Sequence, residues 1–286
     1  GCADMVSMAR PFLADENWVK KAKENRADEI NTCIACNQAC LDHTFSNKVS
    51  SCLVNPRACH ETELNYTPTS NQKKIAVVGA GPAGLSFASI AAERGHAVTL
   101  FDSEKEIGGQ FNMAKNIPGK EEFHETIRYF NSQIKLHKVD VQLNKRINSD
   151  DLTSFDEVVV ATGISPRHLQ LEGIDHPKVL SYIDVLKNGA AVGKKVAVIG
   201  AGGIGFDVSE FLTQLGESTT LHKDEWLKEW GIDATNKVRG GIAGIKQQIE
   251  APARELVMFQ RTAGKVGAKL GKTTGWIHRT TLKMKK

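Results

Sequence analysis

Lys74-Ile75-Ala76-Val77-Val78-Gly79-Ala80-Gly81-Pro82-Ala83-Gly84-Leu85 is the stretch whose reading decides the fold. A short apolar run ends at Val78, glycines follow at Gly79, Gly81 and Gly84, and a helical apolar pattern continues through Arg94. This predicts strand, turn and helix in succession. In such a turn the first glycine permits a tight reversal, the second lets a diphosphate approach the backbone, and the third lets helix and strand pack closely. The helix N-terminus adds amide donors and a partial positive charge. Gly79, Ala80, Gly81, Pro82, Ala83 and Gly84 are therefore candidate dinucleotide-binding residues. Asp102 stands at the end of the next expected strand, Ala97 to Phe101, where a carboxylate can accept hydrogen bonds from ribose hydroxyls. Its charge would repel a 2′-phosphate, so this site suits FAD or NAD rather than NADP.

The pattern recurs further along. Lys195 to Ile199 reads as a second such strand, and Gly200-Ala201-Gly202-Gly203-Ile204-Gly205 opens a second helix. Gly200, Gly202, Gly203, Ile204 and Gly205 are candidates for a second dinucleotide. Here the residues near the following strand ends are basic. His222 and Lys223 occupy the nearer candidate, and Arg261 follows a clearer strand, Leu256 to Gln260. A guanidinium can engage phosphate oxygens through paired, charge-assisted hydrogen bonds, so Arg261 is the preferred NADPH-selecting residue, with Lys265, His222 and Lys223 behind it. Gly95 closes the first helix, and Val158 to Ala161 adds another strand. The alternation favours a parallel sheet and an α/β fold with tandem Rossmann-type domains.

The cysteines lie elsewhere. All six, Cys2, Cys33, Cys36, Cys40, Cys52 and Cys59, precede both glycine turns. Cys33-x2-Cys36-x3-Cys40, with Cys52 just ahead of Asn55-Pro56, can supply four thiolates to a 4Fe-4S cluster, one per iron. Structural zinc competes with this reading, but zinc sites more often pair two Cys-x2-Cys knuckles and one is present. Cys2 and Cys59 are left over and read as small buried residues. The histidines, His168 among them, show no spacing that suggests a metal site or a triad.

Composition bounds the partners. The 286 residues allow two domains, and 37 basic against 33 acidic residues, interspersed to a net +4, give no basic run for nucleic acid. The uncharged stretch from Ile75 to Ala92 is broken by Gly79, Gly81, Pro82 and Gly84, which argues against a membrane span. Clustered thiols without a secretory signal point to a reducing, cytoplasmic compartment. A helix is expected from Asp15, whose carboxylate can cap the amides of Asn17 or Trp18. Residues 217–254 read as an insertion, and Gly264 to Lys286 as loop glycines and a basic tail. Truncation at both ends is the working expectation, and nothing fixes an oligomeric state.

With Cys33, Cys36, Cys40 and Cys52 ahead of a GAGPAGL turn, Gly79 to Leu85, and a GAGGIGFDV turn, Gly200 to Val208, the chain resembles the bacterial NADPH-dependent 2,4-dienoyl-CoA reductases. The resemblance extends to Asp4 to Asp15, to Ser51 to Glu61 and to Gly271 to Arg279. That family joins an FMN-containing (β/α)8 barrel, akin to old yellow enzyme, to a cluster segment and then to FAD and NADPH domains. The resemblance thus implies a division into 1–30, the tail of the barrel; 31–72, the cluster segment and linker; 73–175, the first half of an FAD domain; and 176–286, an NADPH domain. Gly108-Gly109-Gln110 and Ala161-Thr162-Gly163 resemble segments that line FAD in two-dinucleotide flavoproteins, which makes Gly109, Gln110, Ala161 and Gly163 candidate FAD contacts. Ala9 and Arg10 match the barrel loop that touches the FMN phosphate.

What the resemblance implies is a path from NADPH to FAD, through the cluster to FMN, ending in reduction of a small acyl-CoA substrate in unsaturated fatty acid β-oxidation. The proton donor would lie in the barrel, so no catalytic residue is assigned here. Trimethylamine dehydrogenase and enoate reductases share the layout, and a non-catalytic electron-relay or zinc-stapled module is a further reading. A thioredoxin-reductase-like disulfide reductase needs a cysteine pair near the flavin, and no cysteine follows Cys59. Anaerobically prepared protein is expected to contain iron and to show a broad visible band that bleaches on reduction. Colourless protein with stoichiometric zinc would contradict the cluster.

Overall fold

The computed structural model describes residues 3–167 and 169–285, so Cys2 and His168 lie outside the described residues. The chain divides into two compact units, Gly1–Lys115 with Glu122–Ile174, and Asn116–Glu121 with Asp175–Lys286.

The first unit opens with the short helices α1 (Arg10–Ala14), α2 (Trp18–Lys23) and α3 (Leu41–Thr44). It continues through β1 (Lys74–Val78), α4 (Pro82–Glu93), β2 (Ala97–Phe101), α5 (Phe111–Ala114), α6 (Phe123–Leu136), β3 (Asp140–Gln142) and β4 (Glu157–Val160). The four strands form one parallel sheet in the order β3-β2-β1-β4, with Val78 beside Phe101 and beside Val160. Parallel strands covered on both faces read as continuous apolar runs. Ile75, Ala76 and Val77 are accordingly buried in succession. Ile75 and Val77 share a core with Leu85 and Ala88 of α4, Leu100 of β2, and Phe130 and Ile134 of α6. Pro82 presets the first turn of α4. Gly95, at φ +100°, turns the chain into β2.

The second unit contains α7 (Tyr182–Leu186), β5 (Lys195–Ile199), α8 (Gly203–Thr213), α9 (Lys223–Trp230), β6 (Glu255–Phe259) and α10 (Gly275–Met284). Strands β5 and β6 pair in parallel, Lys195 opposite Glu255 through Ile199 opposite Phe259. Val185, Val208 and Leu212 form the buried centre. The α/β class and the parallel pairing expected from the sequence are both present.

Four local expectations need correction. His222 and Lys223 end no strand: Thr219–Leu221 is a single 3-10 turn, and Lys223 is the first residue of α9. That helix forms because Asp224 and Glu225 sit in its first turn, Trp226 and Trp230 lie one turn apart with ring centroids separated by 6.0 Å, and Gly231 ends it at φ +66°. The stretch read as a glycine-rich tail contains α10, which packs on α8. Cys59 is exposed rather than buried. Asp15 accepts the Asn17 amide at 3.0 Å, yet α2 begins only at Trp18. Among the described residues no helix is long and apolar enough to cross a membrane.

A methyl group at Gly84 would stand 1.8 Å from the Gly79 carbonyl oxygen, and one at Gly205 would stand 1.9 Å from that of Gly200. Neither backbone can yield without moving a helix off its strand. Gly84→Ala and Gly205→Ala are each expected to cost about 3 kcal/mol or more in denaturant unfolding of the affected unit. An unchanged midpoint would show that the two packing glycines are replaceable.

Candidate functional site

Three separated segments meet at the end of β1. Gly79, at φ +109°, donates its amide to Phe101 O at 2.7 Å, and a side chain there would strike Ala161 O at 2.3 Å. Gly108 donates its amide to Ala80 O at 2.8 Å. Gly109 lies so near the loop that its Cβ would be 2.9 Å from Gly81 Cα. Gln110 reaches across to Ile164 O at 3.4 Å. Gly163 stands beyond β4 at φ +76°, with nothing within 4 Å of its Cβ position. The structure therefore brings the loop Gly79 to Gly84 together with Gly109 and Ala161 at the ends of parallel strands, with Gln110 bonded across to Ile164 and Gly163 following β4.

Gly81 is the N-cap of α4 in an extended conformation, and Pro82 follows without an amide proton. The amides of Ala83 and Gly84 then lack a carbonyl four residues back within the helix, so they and the helix dipole favour an anion at this point. Asp102 accepts the Ala80 amide through Oδ2 at 2.6 Å and the Glu104 amide through Oδ1 at 2.8 Å. An ionised carboxylate has about four lone-pair sites, so these two bonds leave it able to accept ribose hydroxyls as well.

The second loop is built the same way. Gly200 donates to Phe259 O at 2.8 Å, as Gly79 does to Phe101 O, and Ile199 pairs with Phe259 as Val78 pairs with Phe101. Gly202 caps α8, whose first turn holds Gly203, Ile204 and Gly205. This equivalence locates the counterpart of Asp102. It is Gln260, a neutral residue that sequence reasoning passed over because the strand appeared one residue longer. Its Nε2 donates to Thr262 O at 2.9 Å and Gly264 O at 3.0 Å, and exposed Arg261 follows. His222 instead pairs with Glu217 at 2.9 Å, a hydrogen bond that raises its pKa.

Two polar pairs on α8 were also missed. Asp207 accepts Lys120 Nζ at 2.6 Å, and Glu210 meets His278 Nδ1 at 2.9 Å. Burial pushes the Glu210 carboxyl up, and the hydrogen bond to Glu210 pushes the His278 imidazole up. The acidic residues of Gly205-Phe206-Asp207-Val208-Ser209-Glu210 were the available clue, since Glu210 lies on the inner face of the helix with Phe206 and Ser209.

Cys33, Cys36, Cys40 and Cys52 line one small cavity, all as free thiols. Ala35 and Asn37 adopt left-handed conformations, φ +53° and +57°, that wind the loop between them. Burial raises the pKa of the Cys36 and Cys52 thiols, and neighbouring cysteines add to it. Among the described residues, no three His, Cys, Asp or Glu side chains are set to hold a single metal ion. Arg10, first residue of α1 after Ala9, borders the same cavity and donates to Asn37 Oδ1 at 2.6 Å.

Residues 73–238 match the family model described as pyridine nucleotide-disulphide oxidoreductase. The chain is 37% identical over 222 residues to the metal reductase of Desulforamulus reducens, a match covering 76% of this chain and 33% of that protein. It is 35% identical over 247 residues to the NADH oxidase of Thermoanaerobacter brockii, covering 82% and 37%. Among solved structures, a 2-naphthoyl-CoA reductase in complex with 2-naphthoyl-CoA matches with a TM-score of 0.80 and 29% identity, over 98% of this chain and 38% of that one. The chain spans about a third of the length of these relatives. The matched segment 73–238 contains no cysteine, so it carries no thiol pair of its own.

Gly81 has nothing nearer to its Cβ position than Gly109 Cα at 4.0 Å, so alanine fits the protein there and obstructs only a bound diphosphate. Gly81→Ala is expected to leave the unfolding midpoint unchanged while weakening FAD retention by about tenfold or more, read by flavin content after desalting. Equal retention would remove the first loop as the diphosphate cradle.

Proposed function

We propose, from the premise that the chain belongs to the pyridine nucleotide-disulphide oxidoreductase family, that its first glycine loop holds FAD, its second takes NADPH, and its four-cysteine cavity holds a 4Fe-4S cluster. The observation that carries the dinucleotide assignment is the difference between two otherwise equivalent loops. One is followed across the sheet by Asp102, the other by Gln260 and Arg261. A carboxylate suits free ribose hydroxyls and repels a 2′-phosphate, whereas a neutral amide with an adjacent guanidinium accepts one. Ala83 and Gly84 on α4, and the first-turn amides of α8, would hold the diphosphates. Gly109, Gln110, Ala161 and Gly163 would line the flavin nucleotide.

The donor set supports a cluster over zinc. A cuboidal cluster takes one thiolate at each of four corners, while zinc gathers its ligands about one point. Four cysteines lining one cavity offer one thiolate for each corner of a cuboidal cluster. When bound, FAD supplies the conversion of a two-electron hydride into single electrons, which a cluster carries one at a time. On this reading residues 1–30 end an FMN barrel, and Ala9 and Arg10 face its phosphate. Residues 31–72 form the cluster segment, 73–175 begin the FAD domain, and 176–286 belong to the NADPH domain.

The substrate class of the whole protein is an unsaturated acyl-CoA thioester, with 2,4-dienoyl-CoA of fatty acid oxidation as the member favoured by the motifs. The likeness to a 2-naphthoyl-CoA reductase over 98% of the chain supports the thioester class. Arg261→Ala is expected to raise the KM for NADPH about tenfold or more while moving that for NADH little, since a charge-assisted phosphate contact is at stake. Equal effects on both coenzymes would remove the assignment. Full-length protein is expected to oxidise NADPH faster when 2,4-dienoyl-CoA is added, and stimulation by free unsaturated acids alone would move the substrate away from thioesters.

A further inference from the structure

The strip of backbone just ahead of Cys33 is held by a side chain from the dinucleotide-binding fold. Arg128, on α6, donates through Nη1 to Asp28 O and through Nη2 to Ile30 O at 2.8 Å and Thr32 Oγ1 at 3.3 Å. Its Nε donates to Glu125 Oε2 at 2.6 Å, which sets the plane of the guanidinium from within the same helix. One planar fork thus serves three acceptors spread over residues 28–32. The compact ammonium of lysine cannot span them. Asn31 pins the strip from the other side, donating its amide to Asp15 Oδ2 at 2.9 Å and its Nδ2 to Val54 O at 2.7 Å, close to Cys52.

Helix α6 is itself anchored. Phe130 and Ile134 share the core with Leu85 and Ala88 of α4, the helix that begins at the first glycine loop. A packed path therefore runs from that loop through α4 and α6 to Arg128 and Cys33.

The geometry points to Arg128 as a positioning residue for the cysteine loop: it fixes where Cys33, and any group its thiolate ligates, stands relative to the first dinucleotide loop. The consequence for electron flow rests on the flavin and cluster assignments proposed above. On that reading Cys33 would help hold the cluster and the first loop the flavin, and the pair would supply one-electron transfer, in which no heavy-atom bond forms or breaks. Such transfer weakens steeply with separation, so a loop that drifts slows it while every cofactor stays bound.

The test compares full-length wild type with Arg128→Met and Arg128→Lys by hydrogen exchange and by rapid mixing with NADPH. In Arg128→Met, amide exchange across residues 28–33 is expected to rise by about tenfold, with β1 and α4 unchanged. Flavin bleaching should keep its rate while bleaching of the cluster band slows, and Arg128→Lys should recover part of both losses. Unchanged exchange at 28–33 would overturn the proposal, and so would a rise shared equally by β1 and α4. Raised local exchange in protein found to lack iron would uphold the tether and remove the cluster. Intact iron with unaltered exchange would uphold the cluster and remove the tether.

Discussion

The approach of Gly84 to the carbonyl of Gly79 is the contact on which the rest of the structure depends. With 1.8 Å between a would-be Cβ and that oxygen, only a residue without a side chain lets α4 start hard against the end of β1. Because the helix begins there, its uncapped first-turn amides stand beyond the end of β1. The same constraint acts a second time between Gly205 and Gly200. Neither helix could be withdrawn from its strand by the width of a methyl group without losing the cradle that the anion needs.

Two copies of one device leave specificity to whatever lies across the sheet. Asp102 reaches back to the Ala80 amide and so belongs to the loop as much as to its strand. Gln260 turns toward its own following loop, which leaves Arg261 as the charged group after β6. The family description speaks of disulphide chemistry, yet the matched residues carry no cysteine. On the proposed reading, electrons would leave through the cluster that the cysteines of the preceding segment hold, and Arg128 ties the backbone ahead of Cys33 to the flavin fold.

Much of this was legible from local sequence because each glycine loop is encoded locally. Strands β1, β2 and β5 end where the apolar runs do, since turn residues such as Gly79, Gly95 and Gly200 bound the runs. The counterpart of Asp102 was not legible, because it depends on the register of β6 against β5 and not on the composition of either strand. Helix α10 was hidden for a related reason. Its packing comes from the His278 and Glu210 pair and from the close approach of Gly275 to Leu270, and an isolated helix of that length is marginal. Cys59 looked like a buried small residue by type alone, while its left-handed backbone, φ +64°, and its exposure come from the turn that contains it.

The central claim is that one chain grips two different dinucleotides at two loops, and counting them tests it most directly. Full-length protein purified anaerobically would be assayed for released flavin nucleotides, then titrated by calorimetry with NADP+, which fills the NADPH site without reducing the flavin. The account predicts one retained FAD per chain and one further NADPH site that fills without displacing the flavin. A single dinucleotide per chain, with NADPH and FAD competing for it, would contradict the account.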